Sequence, residues 1–66
     1  MRITLNGEPH ELEAPMTVEA LLASLGIDSR RVAVERNLTV VRRARYASEM
    51  IGEGDEIEIV NFVGGG

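Results

Sequence analysis

The sequence predicts an α+β fold, with one amphipathic helix packed on one face of a mixed sheet. Three patterns carry that reading. Apolar residues alternate with polar ones at both ends (Met1, Ile3, Leu5 and Ile57, Ile59), residues 18–25 repeat at helical spacing, and a β-branched run occupies 32–41. With 66 residues the chain makes one small domain. Below about 70–80 residues a core supplies only a few kcal/mol, which leaves little room for a deep catalytic cleft and argues against a self-contained enzyme.

Arg2 and Thr4 alternate with the first apolar set, and Asn6-Gly7 then supplies the dipeptide best suited to positive φ in a tight hairpin. Strands are expected over 1–6 and 8–13, with His10, Leu12 and Ala14 on one face and Glu11 and Glu13 on the other, until Pro15 ends the second. Thr17 is a good N-cap for a helix whose stripe is Val18, Leu21, Leu22 and Leu25. Glu19 faces the positive end of the helix dipole, and Gly26 suits the left-handed residue that closes the helix, with Ile27 folding back on the last turn. A strand over 32–36, a turn at Asn37 and a strand over 38–41 follow. The segment 44–51 fits either a helical turn or a loop anchored by Ala44, Tyr46, Ala47, Met50 and Ile51. Gly52-Glu53-Gly54-Asp55 reads as a turn and 56–63 as the last strand. This order suits the β-grasp arrangement: a four- to five-stranded mixed sheet on one main helix, its first and last strands parallel neighbours at the centre.

Composition excludes several chemistries. No cysteine rules out disulfides, thiolate zinc sites and a cysteine nucleophile, and one histidine rules out a multi-histidine metal site. Apolar runs are too short to span a bilayer and no signal peptide opens the chain, so a soluble cytoplasmic protein without a membrane partner is expected. Six arginines (Arg30, Arg31, Arg36, Arg42, Arg43, Arg45) lie in the middle of a chain of net charge −4. Acidic overall charge and the lack of interleaved aromatics argue against nucleic acid, and favour arginines paired with nearby glutamates. There is no lysine, hence no side-chain amine through which polymers of this protein could be built. His10 with Ser24, Ser29 or Ser48 lacks a nucleophile-elbow motif, and Gly52-Glu53-Gly54 lacks the lysine and helix opening of a phosphate loop.

The C-terminus is the most informative segment. Gly64-Gly65-Gly66 makes a flexible tail able to enter a channel too narrow for a β-carbon, and Gly66 presents an α-carboxylate free of side-chain crowding. If Ile57 and Ile59 point inward, alternation places Val60 and Phe62 on the outward face with Glu56 and Glu58, beside that tail. A β-bulge near residue 60 would instead turn Phe62 into the core.

The Asn6-Gly7 hairpin, Thr17-Val18 with Leu21-Leu22, Val32-Ala33-Val34-Glu35 with Asn37, Arg43, Gly54-Asp55 and the ending Ile57-Glu58-Ile59-Val60-Asn61-Phe62-Val63-Gly64-Gly65-Gly66 resemble the ThiS sulfur carriers of thiamine biosynthesis. The resemblance covers essentially the whole chain and departs at Arg42-Arg43-Ala44-Arg45-Tyr46, where the family often has Pro-Arg-Ser and an aromatic such as tryptophan. It implies a non-enzymatic co-substrate. An E1-like adenylating enzyme of ThiF type uses ATP and magnesium to activate the Gly66 carboxylate, and the carrier itself holds no cofactor. Sulfur from a cysteine desulfurase then converts the acyl-adenylate to a thiocarboxylate, which donates sulfur to a thiazole synthase of ThiG type. On this reading residues 1–63 form the domain and 64–66 the tail; Gly64 and Gly65 thread partner active sites, and Val60, Phe62 and Val63 dock. The small subunit of molybdopterin synthase shares fold and tail and is the alternative carrier. A ubiquitin-like modifier would pass the same activated carboxylate to amines, and a non-covalent β-grasp module would not need the glycine end.

Overall fold

The computed structural model describes residues 1–62. Strands β1 (Arg2–Leu5) and β2 (Glu8–Glu11) form the expected hairpin, with Asn6 at φ 50° and Gly7 at φ 84° in its turn. β2 is shorter than the expected 8–13. The β1 ladder starts at Arg2, and the Leu12 amide takes the Met1 carbonyl at 2.8 Å, which leaves no backbone for Glu13 to pair with. Leu12 is buried, whereas Ala14, expected on its face, lies beyond the strand and is exposed.

After a two-residue strand β3 (Met16–Thr17) comes helix α1 (Val18–Ser24). The Thr17 hydroxyl accepts the Ala20 amide at 3.0 Å, so the N-cap is as expected. At the other end Gly26, at φ 72°, donates to the Ala23 carbonyl and Ile27 to the Leu22 carbonyl, the paired bonds of a Schellman closure. Val18, Leu21 and Leu22 are buried; Leu25 is the C-cap and is 36% exposed, at the fringe of the stripe in which it was expected.

A 3-10 turn (Ser29–Arg31) leads to β4 (Val32–Arg36) and β5 (Thr39–Val41), with Leu38 in the intervening turn and not in the strand. The ambiguous segment resolves into a 3-10 turn (Arg43–Arg45), the buried anchor Tyr46 and a short strand β6 (Met50–Ile51) paired with β3. Gly54 at φ 83° turns the chain into β7 (Glu56–Asn61). The five-stranded sheet has the order β2-β1-β7-β4-β5, and β1 and β7 are parallel neighbours, as the β-grasp expectation requires. α1 closes one face over Ile3, Val32, Val34, Val41 and Ile57. The Asn6 side chain joins the first turn to the last strand by accepting the Ile59 amide at 2.8 Å.

Arg36 faces inward on β4 at the edge of this core. It donates Nε to Asp55 Oδ2 at 2.9 Å and Nη1 to Glu49 Oε2 at 3.0 Å, and Asp55 also accepts the Gly52 amide and the Asn37 side-chain amide. Partial burial pushes the Asp55 carboxyl upward, but the bonds from Gly52, Asn37 and Arg36 outweigh it and hold the group below its ordinary 3.8. In the unfolded chain Asp55 therefore takes a proton more readily. Its contribution is complete above pH 3.8 and is lost as pH falls through the lower folded value. Asp55→Asn is expected to lower stability by about 1–3 kcal/mol near neutrality and to flatten the acid limb of the stability curve, as urea unfolding across pH would read. The other arginine pairs are local and exposed, Arg2–Glu11, Arg30–Asp28 and Arg45–Glu49, in keeping with the expected solvated arginine face.

Candidate functional site

The expected tail Gly64–Gly66 and the expected docking residue Val63 lie outside the described residues. The strand that leads to them is well defined. β7 pairs with β4 without interruption from Arg36↔Ile57 to Val32↔Asn61, so no bulge intervenes and strict alternation holds. Ile57 is buried and Ile59 packs against the core, while Val60 is 57% and Phe62 55% exposed. Of the two readings of Phe62, the outward one is correct.

Phe62 is past the end of β7 yet still held, since its amide donates to the Arg31 carbonyl at 2.9 Å. The Arg43 guanidinium donates to the neighbouring Arg30 carbonyl at 3.1 Å, tying the segment after β5 to the same corner. Bidentate contact with Arg30 and its amide draws the Asp28 carboxyl down to about 2 and fixes the 3-10 turn that supports this corner. The end of β7 is thus held on its β4 side as far as Phe62, beyond the β1 ladder, which stops at Leu5↔Ile57. Phe62→Ala is expected to shift stability by no more than about 0.5 kcal/mol in urea unfolding, since the side chain is mostly outside the core.

The alternative chemistries find no geometry. The Ser24 hydroxyl donates to the Leu21 carbonyl at 2.7 Å and the Ser48 hydroxyl to the Arg45 carbonyl at 3.4 Å, so both serve their own turns, and His10 sits in β2 opposite Ile3. Among the described residues no three histidine, aspartate or glutamate side chains converge to hold a metal, and no helix is long and apolar enough to cross a membrane. What the described structure offers is an exposed apolar edge feeding into a glycine segment. The part of this surface that the sequence reading did not single out is Leu38 and Val40, exposed on the neighbouring hairpin.

The model of the ThiS family matches residues 3–66. The chain is 54% identical, over its full length, to a thiazole synthase of Paramagnetospirillum magneticum, of which it covers 20%. It therefore spans about a fifth of the length of that relative, as it does of a 53% identical thiazole synthase of Magnetococcus marinus. It is 44% identical over 50 residues to the sulfur carrier protein ThiS of Bacillus subtilis, covering 76% of each chain. The crystal structure of the thiamine biosynthesis protein ThiS from Geobacter metallireducens superposes on it with a TM-score of 0.89 at 32% identity, covering 100% of both chains. Uninterrupted β-grasp topology, the exposed edge before the glycines and a family match that runs through both lead to one conclusion: the chain belongs to the ThiS family.

Proposed function

We propose that this protein is the sulfur carrier of thiamine biosynthesis and that its working group is the α-carboxylate of Gly66. The observation that carries the proposal is the extent of the family match, which continues to residue 66 and so includes the glycine segment. A carboxylate is a poor electrophile. Its attack on the α-phosphorus of ATP, with pyrophosphate leaving, turns it into an acyl-adenylate; the outer sulfur of a persulfide attacks the acyl carbon as AMP departs, and a second thiol then cleaves the resulting S–S bond, leaving the thiocarboxylate and a disulfide. ATP and magnesium belong to the activating ThiF-type partner, and the sulfur comes from a cysteine desulfurase. The carrier provides only an end without side chains and a surface by which partners hold it.

In this reading residues 1–63 dock and 64–66 reach, with Gly64 and Gly65 threading the partner's channel and Val60, Phe62 and Val63 packing at its mouth. A ThiG-type thiazole synthase as recipient is supported by the two relatives named thiazole synthase, in which a segment like this chain makes up about a fifth of a longer protein. A cytoplasmic location fits this reading, because the activating partner draws on ATP. The relatives named ThiS and thiazole synthase favour this carrier over the molybdopterin-synthase small subunit. The test supplies the sulfur-loaded protein to thiazole synthase with its remaining substrates and follows thiazole formation together with covalent adducts on lysines of other proteins. Thiazole without adducts is expected; adducts without thiazole would make the protein a modifier.

A further inference from the structure

The outer face of the sheet, turned away from α1, carries a feature that the tail chemistry does not use. The β4–β7 register sets Glu35 directly opposite Glu58, and the β4–β5 register sets Val40 on the other side of Glu35. Glu56 shares this face two residues before Glu58. Among the described residues the ion pairs use Glu11, Asp28, Glu49 and Asp55, and none uses Glu35, Glu56 or Glu58. Like charges directly opposed in an antiparallel ladder destabilise it, so the isolated protein carries an uncompensated negative row.

The Asn37-Leu38 turn, next to this row, breaks a local rule of its own. Asn37 at φ 52° and Leu38 at φ 69° form a two-residue hairpin turn of the same hand as Asn6-Gly7, but with leucine where the first hairpin has glycine. Leucine in the left-handed region is strained, and its side chain is 82% exposed, so no packing in the free protein compensates. Leu38, Glu35, Glu56, Glu58, Thr4 and Gly7 together line a depression of about 170 Å³. Val40 at 64% and Val60 at 57% exposure continue the apolar surface around it towards the tail.

We propose that this depression is the docking point for an arginine or lysine side chain that the adenylating partner presents from an apolar surface. The aliphatic stem lies on Leu38 and the cationic head sits among Glu35, Glu56 and Glu58. Charge complementarity selects the occupant: the face combines exposed aliphatic side chains with three unpaired carboxylates, the chemistry of a long cationic side chain set in apolar surroundings. The identity of the partner rests on the carrier reading above; the site itself rests on register, exposure and charge. Bound there, the partner holds the sheet by its centre while the tail extends from Phe62, four residues further along the same strand direction, into the reaction site.

The test measures binding of the full-length protein to the purified adenylating enzyme, without ATP, at low and high salt, beside urea midpoints. Glu35→Gln combined with Glu58→Gln is expected to keep or raise the midpoint, weaken binding about tenfold at low salt and shrink its salt dependence. Leu38→Gly is expected to raise the midpoint and weaken binding while leaving the salt dependence in place. A carrier whose variants both bind within about twofold of the unaltered protein would overturn the proposal. Weakened binding of the variants together with failure of the unaltered protein to accept sulfur would keep the docking site and remove the carrier reading.

Discussion

Removal of Gly66 is expected to abolish ATP-dependent sulfur loading while leaving the unfolding midpoint unchanged. The two effects are expected to separate because, among the described residues, the hydrogen bonding already reaches Phe62, whose amide donates to the Arg31 carbonyl, and Gly66 lies four positions further along the sequence. Release of pyrophosphate with the adenylating enzyme reads the first and urea unfolding reads the second. Gly65→Val tests the threading role more finely. A branched β-carbon in a channel fitted to bare backbone displaces the reacting carbonyl, and a shift of about 1 Å can cost about a hundredfold in rate. Loading of the Gly65→Val protein at the unaltered rate would remove the narrow channel from the account.

The largest expected loss of stability is at Ile57. This residue is 1% exposed, lies on the central strand β7 between Leu5 of β1 and Arg36 of β4, and its carbonyl accepts the Asn6 amide. Ile57→Ala removes buried methyl groups where the first hairpin, the last strand and the helix-covered core meet, at a cost of about 2–5 kcal/mol. Domains hold roughly 0.05–0.15 kcal/mol per residue, so a chain of this size is left marginal or unfolded. Urea unfolding reads this directly, and a loss below about 1 kcal/mol would show that the site collapses around the cavity.

The elements legible in the sequence are those whose signals are local. Thr17 and Gly26 bound α1 because a hydroxyl acceptor and a left-handed residue act within one turn, and Asn6-Gly7 places the first hairpin for the same reason. The outward turn of Val60 and Phe62 follows from period-two alternation once the strand is known to be continuous; that continuity is a property of the β4–β7 ladder and is not visible in the strand alone. The β3–β6 pair is not legible in the sequence because two-residue strands have no period, and Met16↔Ile51 joins residues far apart in the chain. Nothing in the sequence sets Arg36 apart from the solvated arginines, because its partners Glu49 and Asp55 come from a loop and a turn more than a dozen residues later. The Asn37-Leu38 turn lacks the glycine that normally marks such hairpins, which also hid the exposure of Leu38. Of the candidate site, Val60 and Phe62 are described and exposed as the alternation predicts, whereas Val63 and Gly64–Gly66 lie outside the described residues.

The measurement that bears most directly on the central claim is the intact mass of the purified protein after incubation with ATP, magnesium, the adenylating enzyme, a cysteine desulfurase and cysteine. The account predicts a gain equal to the exchange of one oxygen for one sulfur, confined to the fragment that ends in Gly66 and lost when Gly66 is removed. An unchanged mass with partners shown to be active on a known carrier, or a gain that survives removal of Gly66, would contradict it.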